Sequence, residues 1–186
     1  MISDLYEKAI EFAAKAHQGQ MRKGQDVPYI VHPFTVSAIL KEQNCDEHVI
    51  IAGLLHDTVE DTAVSLESLR FDFGDQIADL VAICTEPDKG LPWEERKQHM
   101  LNVMRTAPFE AKFVFCADKL HNIRSMIAAH KKFGDEVWRK FSRCYEKQKW
   151  YAQSVIKSLF HNLDVKHQKP MFFELDRTIQ EFFEND

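Results

Sequence analysis

The stretch IIAGLLHDTVEDTAV, residues 50–64, is an apolar run that ends in His56, Asp57, Glu60 and Asp61. On a helix, residues four apart share a face, so His56 falls with Glu60 and Asp57 with Asp61. Burying unpaired carboxylates is costly, and like charges raise each other's pKa. A divalent cation would resolve that conflict. The bland alternative is a solvated helix end on which Asp57 or Asp61 caps the next segment, and an HD pair alone favours it. Two further stretches change the balance. YIVHPFTV places His32 directly before Pro33, and FVFCADKLHNIRSM places Asp118 after the most apolar run, with Asn122 one turn on. Each has an ordinary alternative: His32 as a helix cap, Asp118 as a partner of Arg124 or Lys119. Together His32, His56, Asp57 and Asp118 supply two imidazoles and two carboxylates, a mixed set that suits Mn²⁺, Fe²⁺ or Zn²⁺. No thiolate lies close by, which argues against a structural zinc finger.

The elements that must position these groups read as helices throughout. Residues 3–17 carry Leu5, Ala9, Phe12, Ala13 and Ala16 at helical spacing, with Ser3 as a cap. Residues 32–44 start with Pro33 in a first turn. The apolar helix follows and is read as running on into the acids. Helices are expected at 65–74 and 75–86, punctuated at Gly74, and at 91–106, with Pro92 near the start. Residues 108–134 form a long, largely buried helix whose FVFCA could pass for a strand by propensity alone. Residues 135–163 read as one longer, more polar helix, and 170–186 as a last amphipathic one. The loop-like pieces are KGQDVPYI and EPDKGLP. The expected fold class is therefore all-α.

The 186 residues are 45% hydrophobic and 28% charged, with six Gly and six Pro. That is enough for one core and short for two, so 1–186 is read as a single domain. A net charge of −5 argues against nucleic acid as a partner. Cys45, Cys84, Cys116 and Cys144 are far apart and form no C-x-x-C pair, the usage of a cytoplasmic protein with reduced thiols. The first residues show no signal-peptide run, and no apolar segment reaches the roughly 20 residues that span a membrane. Trp93, Trp138 and Trp150 are read as core.

AHQGQMRKGQDVPYIVHPFTVSAIL, AGLLHDTVEDT, FGDQIADLV and ADKLHNIRSM occur in this order. They resemble successive signature segments of the RelA/SpoT-type (p)ppGpp hydrolases of the HD-domain superfamily. The resemblance covers residues 1 to about 130, and the length resembles the stand-alone small alarmone hydrolases. It implies an HD-domain helical bundle with a metal site between helices, completed by C-terminal helices over 135–186. It implies His32, His56, Asp57 and Asp118 as ligands, normally of Mn²⁺, and Glu60 and Asp61 as the acids that handle the nucleophilic water. It implies Arg22, Lys23 and Asn122 as nucleotide contacts. The basic loop RKGQDVPYI departs from the family's usual R-x-S-G-E-P-Y-I: it is one residue longer and lacks the serine. His17 and His121 are assigned to structural hydrogen bonds, and Arg124 to a supporting or phosphate contact.

The expected activity is removal of the 3′-pyrophosphate of (p)ppGpp, giving GDP or GTP, by a monomer or small homo-oligomer acting on a small-molecule nucleotide. Two alternatives stay open. One is the same chemistry on another nucleotide, an adenosine alarmone or the 2′-phosphate of NADPH. The other is a non-catalytic nucleotide-binding module, whose signature would be a broken ligand set.

Overall fold

The computed structural model describes residues 3–22, 26–139 and 143–184. Ten α-helices carry the described chain: α1 Asp4–Ala16, α2 Val31–Glu42, α3 Glu47–Leu55, α4 Thr58–Asp61, α5 Leu66–Phe73, α6 Asp75–Cys84, α7 Trp93–Thr106, α8 Phe109–Phe133, α9 Tyr145–Phe160 and α10 Pro170–Glu184. No strand occurs among the described residues; the extended pairing is an isolated bridge between Met21 and Pro28. The all-α expectation holds, and FVFCA is helical within α8.

Helix α8 is the axis of the bundle. Ala111 to Asp118 are buried without interruption, and the helix packs against α2, α3, α6 and α10. Burial on all sides explains why its apolar residues show no amphipathic stripe. Helix α3 is buried likewise, through Val49, Ile51, Ala52, Gly53, Leu54 and Leu55. Ser3 accepts from the Tyr6 N–H at the start of α1, and Ser65 from the Ser68 N–H at the start of α5. Each satisfies one N–H that a helix start leaves without an internal partner. Gly74 takes φ 83° between α5 and α6, a left-handed turn that only glycine adopts without strain. Pro33 sits in the first turn of α2, where its missing N–H loses no helical bond.

Two helical expectations are corrected. Residues 135–163 are not one helix: a 3₁₀ segment at Gly134–Arg139 follows α8, and α9 begins at Tyr145. Gly134 takes φ 56°, which stops α8 and turns the chain. The apolar helix does not run on into the acids either. It ends at Leu55, and a separate four-residue turn, α4, carries Glu60 and Asp61. The Thr58 hydroxyl donates to the Leu55 carbonyl at 2.7 Å at this break. Among the tryptophans, Trp93 is buried, whereas Trp150 is 37% exposed and lies at the edge of the core.

Lys112 is only 1% exposed, and its ammonium donates to the carbonyls of Leu159, at 3.3 Å, and His161. These carbonyls lie at the end of α9, where a helix leaves acceptors without partners and favours positive charge. A lysine inside the core is thereby satisfied, and α9 is tied to α8.

Candidate metal and nucleotide site

His32 comes from the first turn of α2, His56 from the residue after α3, and Asp118 from the middle of α8. All three are buried, and one ligand atom of each lies within 4.8 Å of the others. His32 Nε2 is 3.1 Å from Asp118 Oδ1, and His56 Nε2 is 3.8 Å from the same oxygen. Asp57 joins them with different oxygens: Oδ2 is 3.4 Å from His32 Nε2, and Oδ1 is 3.2 Å from His56 Nε2. All four sequence-derived ligand candidates therefore converge.

The hydrogen bonds around the imidazoles fix which nitrogen faces the centre. His56 Nδ1 donates to the Gly53 carbonyl at 2.8 Å, leaving Nε2 as a lone pair. That Nε2 is buried and makes no hydrogen bond. Such a buried, unpartnered nitrogen among carboxylates fits a positive charge, either the ring's own proton or a metal ion that replaces it. His32 Nδ1 lies 2.6 Å from His121 Nδ1, so one ring must donate to the other. Burial, followed by the neighbouring His32 and Arg22, lowers the His121 pKa to about 4. His121 is thus neutral, and burial lowers the His32 pKa as well. When His32 Nε2 serves as a ligand, its Nδ1 carries the N–H and donates to His121 Nδ1. Burial alone would favour the neutral His56, but Asp57 and then Asp118 outweigh it and raise its pKa to about 9. Burial likewise opposes ionisation of Asp118, yet Lys119 and His32 hold its carboxyl well below the usual range. The cluster is built for a positive charge at its centre. His32, His56 and Asp118 can hold a divalent metal ion, with Asp57 beside them.

Around this core lie the acids. Asp61 pairs with Lys89 and accepts from the Tyr29 hydroxyl at 3.1 Å, while the same hydroxyl lies 2.6 Å from Asp57 Oδ2. Burial and then Asp57 raise the Tyr29 pKa, so the hydroxyl keeps its proton and donates. Gln20 donates to the Asp61 carbonyl at 2.8 Å, and His17 Nδ1 bonds Gln20 Oε1 at the same distance. The structural assignments of His17 and His121 therefore hold. Glu60 accepts from the Glu86 N–H at 3.1 Å. Burial, followed by Glu86, raises its pKa, which makes it a stronger base than an ordinary glutamate.

A cavity of about 320 Å³ opens beside the cluster. Its polar wall holds Arg22, Lys97, Lys119 and Asn122; its far wall includes Met126, Val155, Leu175 and Ile179. Arg22 donates to Asn122 Oδ1 at 3.3 Å and Ser125 Oγ at 3.4 Å, and lies over the Tyr29 ring. Asn122 donates to Asp118 Oδ1 at 2.5 Å, so it bonds a candidate ligand and lines the cavity at once. Lys23 lies outside the described residues. Arg124 does not reach the cavity: it pairs with Glu174 of α10 on the surface. The ion pair of Asp118 with Lys119 does form, at 2.6 Å, through the oxygen turned away from His32.

Sequence reasoning passed over Tyr29, Lys89, Lys97 and Tyr151, and named Lys119 only as an ion-pair partner of Asp118. Tyr29 and Lys119 fall inside the quoted signature segments and could have been singled out there. Lys97 and Tyr151 lie in stretches without a motif, and only folding brings them to the cavity.

The HD-domain profile matches residues 9–147. The chain belongs to the HD-domain family. Among HD-domain relatives, guanosine-3′,5′-bis(diphosphate) 3′-pyrophosphohydrolase MESH1 of Xenopus tropicalis is 38% identical over 155 residues, 82% of this chain and 83% of that one. A GTP pyrophosphokinase of Streptomyces coelicolor is 44% identical over 123 residues, 64% of this chain; the match spans only 14% of that enzyme. The solved structure of a metazoan ortholog of SpoT that hydrolyzes ppGpp is 30% identical, with a TM-score of 0.80, covering 98% of this chain and 97% of that one. Within the HD-domain family the similarity thus runs to the RelA/SpoT-type proteins, as the signature segments imply.

Proposed function

We propose that this chain is a metal-dependent phosphohydrolase that removes the 3′-pyrophosphate of (p)ppGpp, releasing GDP or GTP and pyrophosphate. The observation that carries the reading is one juxtaposition. A buried His/Asp cluster with an unpartnered His56 Nε2 lies beside a cavity walled by Arg22, Lys97 and Lys119. The hydrolases among its relatives support the choice of substrate.

In this reading His32, His56, Asp57 and Asp118 would hold Mn²⁺, which when bound would supply a more acidic water and offset phosphoryl charge. Glu60 takes the proton of the attacking water as general base, and Asp61, braced by Tyr29 and Lys89, orients that water. The water oxygen bonds to phosphorus as its proton passes to Glu60; the bond between phosphorus and the 3′-oxygen breaks, and the 3′-oxygen leaves with the bonding pair and takes a proton from solvent. Arg22, Lys23, Lys97 and Lys119 meet the phosphates, and Asn122 meets the sugar side. Arginine's planar fork suits phosphate oxygens, and the lysines act as point charges. The enzyme works as one domain over 1–186, as a monomer or small homo-oligomer, with no nucleic acid. A cytoplasmic setting accords with four free cysteines, and no helix among the described residues is long and apolar enough to cross a membrane.

A second reading keeps the chemistry and changes the base. Among the described residues, no carboxylate lines the cavity to pair with the N–H edge of guanine. An adenine nucleotide, an adenosine alarmone or NADPH through its 2′-phosphate, needs no such carboxylate. The deciding experiment is a panel of guanine and adenine substrates with Mn²⁺ or chelator, products resolved by chromatography. Pyrophosphate and GDP from guanosine tetraphosphate, abolished by chelator, are expected. Turnover confined to adenine nucleotides promotes the second reading, and no metal-dependent turnover of any nucleotide leaves a binding module.

A further inference from the structure

Glu86 lies between α6 and α7, with its side chain only 8% exposed. Its Oε2 accepts from Arg96 Nη1 at 2.5 Å, and its Oε1 pairs with Lys97 Nζ. Its backbone N–H donates to Glu60 Oε2. A buried carboxylate is tolerated only when charge and hydrogen bonds satisfy it, and both cations come from the start of α7. Each connection joins different elements. Glu60 sits on α4, a single turn with few bonds of its own, so its aim must be set from outside. Lys97 and Lys119 both line the cavity, and Glu86 Oε1 is the carboxylate paired with Lys97 there.

We propose that Glu86 is a positioning residue that ties the general base to the phosphate-binding wall. Its carboxylate pins the chain at residue 86 to α7 and holds Lys97, while the N–H fixed in this way aims Glu60. The roles of Glu60 and Lys97 rest on the hydrolase reading; the link between them rests on geometry alone.

Glu86→Gln keeps the size and the N–H but loses the charge that clamps two cations. On the full metal-loaded chain, kcat for guanosine tetraphosphate should fall by up to about 10²-fold, the scale on which misplacement acts, and KM should rise. In a Glu60→Gln background the same change should have little further effect on kcat, and in a Lys97→Met background little further effect on KM, because the aimed group is already gone. Equal fold-losses in every background would overturn the proposal and leave Glu86 a general structural support. Amide hydrogen exchange gives a readout independent of turnover. Exchange at residue 86 should quicken in Glu86→Gln, and an unchanged rate also overturns the proposal. Should Glu86→Gln not fold, Arg96→Met removes one anchor, and the same comparisons apply with the same outcomes. A wild-type chain inert towards guanosine tetraphosphate defeats the (p)ppGpp hydrolase reading, while the exchange measurement still decides the link.

Discussion

At the scale of single residues, the site is defined by where protons sit. His56 Nε2 must be deprotonated to bind a metal ion, yet Asp57 and Asp118 raise its pKa to about 9 against the effect of burial. Its proton therefore competes with metal at every pH below about 9, including the range above about pH 6.5 where an ordinary imidazole is already neutral. In calorimetric titrations metal affinity should rise roughly tenfold per pH unit across that window, as one proton is released per ion bound. An affinity flat above pH 6.5 would contradict the position of His56 among the ligands. His56→Ala should lose stoichiometric metal by elemental analysis. The acids behave differently. Glu60 is bonded to the Glu86 N–H and Asp61 to Tyr29 and Lys89, and neither belongs to the group of His32, His56 and Asp118 whose ligand atoms converge. Glu60→Gln and Asp61→Asn should keep their metal and lose roughly 10²–10⁴-fold in kcat, the usual loss with a positioned general base. Near-normal kcat in both variants would remove them from the mechanism.

At the scale of elements, the candidate metal ligands are only as well placed as the contact between α2 and α3. A Cβ built on Gly53 would stand 2.3 Å from Leu40 Cδ1 and 3.3 Å from Val36 Cγ1. Both neighbours belong to α2 and are fully buried, so they have no room to yield. The helix carrying His32 and the one leading to His56 are therefore as close as glycine allows. Gly53→Ala must push α2 away from α3, overpacking that costs about 1–3 kcal/mol. Because Gly53 also accepts from His56 Nδ1, the strain reaches the ligand directly. Urea unfolding should show the loss of stability, and metal affinity should fall with it; a variant as stable and as metal-competent as wild type would show that α2 and α3 can repack freely.

At the scale of the whole molecule, a chain of net charge −5 concentrates cations on one wall of one cavity. An anionic substrate is steered by that local field and not by net charge. Arg22 reaches from the loop before α2 to Asn122 and Ser125 on α8 and closes the cavity's polar side. Arg22→Ala should raise KM for guanosine tetraphosphate more than it lowers kcat, the signature of lost uniform binding. The penalty should shrink as salt rises, because screening weakens partly exposed charge contacts. An unchanged KM would mean that the loop does not read this nucleotide, and the adenine reading would then come first.

What the sequence alone determined is local. Apolar runs, caps and the punctuating Gly74 marked most helices, because helix formation answers to neighbours three and four residues away. Signature segments named His32, His56, Asp57 and Asp118, and these four do meet. The sequence could not show that the chain breaks between Leu55 and Thr58. A continuous helix and a helix followed by a separate turn have the same local pattern, and tertiary contacts choose between them. The break after Gly134 was hidden likewise, since residues 135–163 keep helical composition on both sides of it. Only the tertiary structure brought Lys97 and Tyr151, which lie in stretches without motifs, to the wall beside Lys119. Only folding, too, set the Glu86 N–H against Glu60 across 26 residues of chain. Long-range juxtapositions leave no period in a sequence. They arise when buried charges such as Glu86 and Asp118 must find partners on other elements, and that need is met only once the helices have packed.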